Sequence, residues 1–142
     1  MPFVSIIRLR VRFWRYLPSI FIQTFRAVRQ AKAAQDSILV AVLRDAARTF
    51  WTRTVWKDEA AMRSFMVSGV HKTVMPRLLE WCDEASVVHW NQDLREPPSW
   101  PEAHRRMQKD GRRSKVRNPS DAQRRFDIPA PQVGPTSELT FK

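Results

Sequence analysis

Apolar and polar positions alternate from Phe3 to Phe13: Phe3, Ser5, Ile7, Leu9, Val11 and Phe13 share one side, Val4, Ile6, Arg8, Arg10 and Arg12 the other. A period of two over this length predicts a strand. Pro18 suits the first turn of a helix, where its missing N–H costs nothing. Phe21, Phe25, Val28 and Lys32 then recur at helical spacing, with Ile20, Ile22 and Ala31 widening the stripe and Arg26 and Arg29 outside it. Ser37–Leu43 (SILVAVL) and Thr49–Trp56 (TFWTRTVW) read as two more strands, joined by the short hairpin link Arg44–Arg48. Asp58 can cap a following helix that starts at Glu59 and carries Met62, Phe65 and Met66 on one face. Ser68-Gly69 interrupts that helix, Val70 and Val74 resume its apolar face, and Pro76 forces a kink or restart before Leu78, Leu79 and Trp81. Ser86–Trp90 (SVVHW) reads as the last strand.

The order β-α-β-β-α-β predicts an α+β, ferredoxin-like unit with an antiparallel sheet over residues 1–92. Neither middle strand has a clean polar face, which predicts a sheet covered on both sides. Helices cover one side. Nothing within residues 1–92 is left for the other, so a second copy of the chain is expected there, as a homodimer.

Residues 93–142 differ in character. Seven of the ten prolines lie between Pro97 and Pro135. Ser99-Trp-Pro-Glu102 has the capping-box form, and Trp100, Ala103 and Met107 share a helical face that ends before Gly111. A short C-terminal helix over about residues 99–110, docked on the domain, is expected, then an extended, mobile, basic tail.

Composition narrows the function classes. The net charge of +11 is uneven: residues 1–36 carry seven Lys/Arg against one acid, 37–93 seven against seven, and 94–142 eleven against six. The basic ends could attract nucleic acid or anionic lipid, with a solvated basic surface as the plainer reading. Strand Thr49–Trp56 lacks the glycine-aromatic signature of RNA-recognition sheets, so nucleic-acid binding through the tail stands as a distant alternative. A single Cys excludes an internal disulfide framework and fits a reducing compartment. No charge-free apolar run reaches about 18 residues, and Arg8, Arg10 and Arg12 interrupt any signal-peptide core. A cytoplasmic protein without a membrane partner is expected.

The stretch FWTRTVWKDEAAMRSFM, running from strand into helix, and the SGVH after it resemble the dimeric α+β barrel superfamily, with its antibiotic-biosynthesis-type and heme-degrading monooxygenases. The resemblance spans roughly residues 3–91. It implies a homodimer of two sheets packed face to face, with a ligand cleft in each protomer between sheet and helices. In heme-degrading members an Asn, a Trp and an iron-ligating His act in that cleft; aligned on TVWK, their places hold Ile7, Phe65 and Met75. The resemblance thus implies a monooxygenase-like protein for a small aromatic or apolar molecule, with no cofactor or with heme. A non-catalytic ligand-binding or structural homodimer of the same fold is the alternative.

His71 follows the Gly69 break, where an open helix can aim a side chain into a pocket, and is the candidate catalytic base, or the metal ligand if heme binds. Phe21, Phe25, Trp51, Phe65 and Met66 are the candidate ligand-binding residues. Trp51 and Trp56 fall on opposite faces of their strand, one toward the helices. His89 is expected toward the dimer face as a satisfied structural histidine. Cys82, amid Glu80, Asp83 and Glu84, is a poor nucleophile. No zinc spacing, phosphate-binding glycine loop or hydrolase elbow is present.

Overall fold

The structure is a computed structural model that describes residues 1–46, 48–67, 69–134 and 137–140; the side chains of residues 70 and 71 lie outside that description. Strand β1 (Phe3–Val11) leads through a 3-10 turn (Trp14–Tyr16) into α1 (Leu17–Ala33). β2 (Ser37–Arg44) and β3 (Thr49–Trp56) form the expected hairpin. Helices α2 (Glu59–Met66) and α3 (Gly69–Trp81) follow, then β4 (Cys82–Asn91). Beyond these come α4 (Trp100–Asp110), β5 (Arg112–Arg113), α5 (Asp121–Arg125) and β6 (Glu138–Thr140). The sheet order is β5-β4-β1-β3-β2-β6, antiparallel throughout, and its four central strands are those of a ferredoxin-like unit.

The pleat divides the core in two. Odd-numbered Phe3 in β1 and Trp56 in β3 join Val28 and Ala31 of α1 and Met62 of α2 on the helix side. Even-numbered Val4 and Ile6 join Trp51, Val55, Leu43 and Val88 on the opposite side. Trp51 and Trp56 do face opposite ways, and Trp56 is the one toward the helices.

The opposite side is where the structure departs most from expectation. Its cover comes from within the chain. Trp100, Ala103 and Met107 of α4, together with Ile128, are buried on Val4, Ile6, Leu43, Trp51, Val55 and Val88. The Trp51 and Trp100 rings meet edge-on at 6.5 Å, and the Arg106 guanidinium lies 4.7 Å from the Trp90 ring centroid. The bare β-surface that called for a second copy is therefore filled by residues 93–142, placed after the unit they complete.

The segment expected as an extended tail carries elements of its own. β5 pairs with Ser86 and Val87 of β4, and β6 pairs with Ala41–Leu43 of β2. Val116 and Ile128 are buried. The Gln123 amide donates to the Ala85 and Ser114 carbonyls and accepts from the Ala85 N–H. Arg53 clamps both ends of the segment, donating to the Pro98 carbonyl at 2.6 Å and to Glu138 at 2.5 Å. A Pro-rich sequence without periodicity is held here by pairing to sheet edges and by side-chain bonds, which leave no periodic trace.

β4 begins at Cys82, four residues before the expected start. Asp83 and Glu84 disguise it as a helix end, yet Glu84 lies inward, where Arg8 and Arg10 donate to it at 2.7 and 2.8 Å. Between α2 and α3 the chain turns at Gly69 with φ +55°, and a Cβ there would stand 2.7 Å from the Gln30 side chain of α1. Gly69→Ala is expected to cost about 1–2 kcal/mol from the left-handed backbone, with the Gln30 clash added. Urea unfolding checks it; an unchanged midpoint contradicts the assigned backbone.

Candidate functional site

Between the sheet and helices α1, α2 and α3 lies a cavity of about 450 Å³. Apolar side chains make most of its wall. Ile7 and Leu9 come from β1, Val28 from α1, Met62, Phe65 and Met66 from α2, and Val74, Met75 and Leu78 from α3.

Its floor carries a polar row. Strand register places Ser5 of β1 between His89 of β4 and Thr54 of β3. The Thr54 hydroxyl accepts from the Trp56 indole at 2.9 Å and donates to the Ser5 carbonyl at 3.4 Å. At the other end of the row, the His89 ring packs 5.5 Å from the Phe3 ring. Its Nε2 is shut off from solvent and has no hydrogen-bond partner among the described residues. A buried polar atom without a partner costs free energy. A turn of the ring that brought Nε2 to the cavity would let a ligand bond to it and recover that cost.

Burial lowers the His89 pKa from its ordinary 6.5, and the charges of Arg112 and Arg63 push the same way. The imidazole is therefore neutral at pH 7, with one nitrogen able to accept a proton. Arg63 is tied to Glu59 at 2.7 Å. Arg112 lines the cavity from β5 and forms no ion pair among the described residues. The C-terminal segment thus brings a cation to the site.

The expected site residues divide. Phe65 and Met66 line the cavity. Trp51 does not: it is sealed on the far side of the sheet, its indole donating to Asp45 at 3.1 Å. Phe21 and Phe25 do not either, at 50% and 57% exposed. The stripe read on that helix was too wide: it held the buried Ile20, Val28 and Ala31 together with the exposed Phe21, Ile22 and Phe25. The backbone of His71 is in α3, and its side chain lies outside the described residues. Cys82 is buried, and burial with the Asp83 charge pushes its thiol up to about 12, so no thiolate forms near neutral pH.

His89 lies on the helix side of the sheet and not toward a dimer face, and its Nε2 is not satisfied among the described residues. The available signal was parity: β1 and β4 pair in register, so His89 must share a face with Ser5 and Phe3. Which face carried the helices was the missing fact.

Ile7, Phe65 and Met75, the places given by the alignment on TVWK, all line this cavity. They offer no amide, indole or imidazole there. The residues present do not fit heme degradation of the aligned kind. No group of three or more metal-ligating side chains occurs among the described residues.

A family model described as a domain of unknown function, DUF3291, matches residues 23–126. The chain belongs to that family. The match runs from within α1 through α5, so the DUF3291 domain includes the covering helix α4. Solved structures share the fold at low identity. Rv0793 from Mycobacterium tuberculosis superposes with a TM-score of 0.61 at 12% identity, covering 68% of this chain and 98% of that one. SnoaB, a cofactor-independent oxygenase from Streptomyces nogalater, gives 0.56 at 12%, covering 66% and 94%. An antibiotic biosynthesis monooxygenase gives 0.58 at 12%, covering 65% and 99%. The ferredoxin-like α+β fold of the antibiotic-biosynthesis monooxygenases is thereby established for the chain. No curated protein sequence matches it.

Proposed function

We propose that this DUF3291 protein binds a small aromatic or otherwise apolar molecule between its sheet and helices and oxygenates it without a cofactor, with His89 as the base. One observation carries the reading: a mostly apolar cavity of about 450 Å³ has a neutral imidazole on its floor whose Nε2 lacks a partner. Such a cavity suits a drug-sized ligand.

The chemistry balances if the substrate supplies all the electrons. An activated methylene carbon reacts with molecular oxygen, loses both hydrogens and keeps one oxygen atom as a carbonyl. The second oxygen atom leaves with those two hydrogens as water. Once its ring turns Nε2 toward the cavity, His89 takes the first proton, and the resulting carbanion is electron-rich enough to reduce molecular oxygen. The imidazolium returns the proton as water forms. The cavity's task is to hold substrate near Nε2 and to exclude bulk water. Arg112 would favour a ligand bearing an anionic group at that end.

Thermal unfolding with a panel of phenols, anthrone-like ketones and aromatic carboxylates tests the binding. A hundredfold excess over Kd stabilises by about 2.7 kcal/mol, and Ala27→Trp, which fills the cavity, should abolish the shift. A panel without effect, or a shift that survives Ala27→Trp, would refute the site. For a bound substrate, His89→Gln should lower oxygen uptake by roughly 10²–10⁴-fold while Kd changes little. Because the neutral imidazole works, activity should persist below pH 6.5 and fall only as pH drops through the depressed pKa.

The apolar Ile7, Phe65 and Met75 favour a second reading, a non-catalytic carrier of the same ligand class. Binding without oxygen uptake would select it.

A further inference from the structure

Residues 12–35 contain Arg12, Arg15, Arg26, Arg29 and Lys32 and no acidic residue. The same stretch leaves Phe13, Trp14, Phe21, Ile22 and Phe25 between 40% and 70% exposed. Isolated exposed apolar residues need no explanation, whereas a contiguous set marks an interaction surface. These are contiguous. Ile22 and Phe25 lie on the side of α1 turned away from buried Ile20 and Ala31, and Phe21 sits at the edge of that side, next to Val28. Phe21 meets Phe50 of β3 edge-on at 5.4 Å, and the Arg48 guanidinium lies 5.3 Å from the Trp14 ring. Helix, turn and hairpin end therefore form one surface.

Each exposed ring except Phe21 also carries a guanidinium. Arg12 and Arg15 lie 4.6 and 4.9 Å from the Phe13 ring, and Arg29 lies 6.0 Å from Phe25. Among the described residues, Arg12, Arg15, Arg26 and Arg29 form no ion pair.

We propose that this surface docks on an anionic lipid bilayer. The rings of Trp14, Phe21 and Phe25 would enter the boundary between headgroups and acyl chains, and the arginines would reach lipid phosphates. Charge selects the occupant. A second copy of the chain would set cations against cations. Single-stranded nucleic acid stacks its bases on open aromatic faces, and here guanidinium groups already cover a face of Phe13, Trp14 and Phe25. It would also leave Ile22 without a partner. A bilayer surface takes both kinds of group at once, since amphipathic rings and long cationic side chains settle together at the headgroup level. No described helix is long and apolar enough to cross a membrane, and docking of this kind needs none. The inner side of α1 lines the cavity, so docking would set that wall against a reservoir of apolar molecules; it does not depend on what the cavity holds.

The test is co-sedimentation of the intact chain with vesicles of phosphatidylcholine alone or mixed with phosphatidylserine, at low and high salt. Binding is expected to the mixed vesicles only, and to weaken with salt. The triple variant Arg15→Glu, Arg26→Glu, Arg29→Glu should lose affinity by roughly a hundredfold or more. The double variant Trp14→Ala, Phe25→Ala, with its charge unaltered, should also lose most binding. All five side chains are exposed, so thermal unfolding of both variants should match that of the parent. Failure to bind the mixed vesicles, equal binding to neutral ones, an aromatic variant that binds normally, or tighter binding to a labelled oligonucleotide at the same salt would each overturn the proposal.

Discussion

A chain ending at Gln92 is expected to precipitate or self-associate at micromolar concentration, whereas the intact 16.7 kDa chain is expected to sediment as a monomer. Truncation removes α4 and Ile128 and uncovers Val4, Ile6, Leu43, Trp51, Val55 and Val88, none now more than 4% exposed. Fully burying one such side chain stabilises by about 1.5–3 kcal/mol. Six of them fully uncovered together would lose about 9–18 kcal/mol, as much as the whole net stability of a typical domain, about 5–15 kcal/mol. Arg53 would lose its partners at Pro98 and Glu138 in the same cut. The homodimer expected from the superfamily resemblance needs this face, and α4 occupies it. Equilibrium sedimentation of both chains decides the matter. A soluble, monomeric truncated chain, or an intact chain that dimerises through this face, would contradict the assigned cover. A truncated chain that settles as a defined dimer would show α4 to be a substitute for a partner's sheet.

Glu84→Ala should be the most damaging single polar substitution, costing about 3–5 kcal/mol. Arg8 and Glu84 are 5% and 3% exposed. The Glu84 carboxylate accepts from Arg8, from Arg10 and from the Ser120 hydroxyl at 2.8 Å. Without it the Arg8 charge is buried and unpaired. The exposed Arg63–Glu59 pair is the control: Glu59→Ala should cost no more than about 1 kcal/mol. Burial alone would raise the Glu84 pKa, but the bonds from Arg8, Arg10 and Ser120 outweigh it and bring the value below the ordinary 4.5. A depressed folded value means that the unfolded chain binds the proton first as pH falls. The stabilisation from Glu84 is therefore complete above the ordinary 4.5 and is lost as pH drops through the folded value. Urea midpoints across that range should show a slope that Glu84→Ala removes. A variant within about 1 kcal/mol of the parent would refute the buried pair.

Much of the frame was legible because its signals are local. Thr49–Trp56 has the predicted bounds, and Asp58 caps α2 by accepting from the Ala61 N–H at 2.9 Å. Ser99 likewise caps α4, accepting from the Glu102 N–H at 3.2 Å. The candidate site was legible only in part. Phe65 and Met66 follow from a helix whose apolar side is narrow. On α1 the apolar residues run most of the way round, so periodicity could not say whether Phe21 or Ile20 faces the core. His89 was misplaced because parity tells which residues share a face and not what covers it.

From the residues alone came the alternation of strands and helices, their caps and breaks, and the demand that the sheet be covered on both sides. Each depends on spacing within a few residues, which the chain carries wherever it folds. Tertiary structure alone decided that α4 provides the second cover, that Glu84 draws two arginines inward, and that His89 stands unpartnered in the cavity. Those contacts join residues far apart in the chain, 76 positions for Arg8 and Glu84, or a helix to a surface it does not name. Only packing settles which of the possible partners meet.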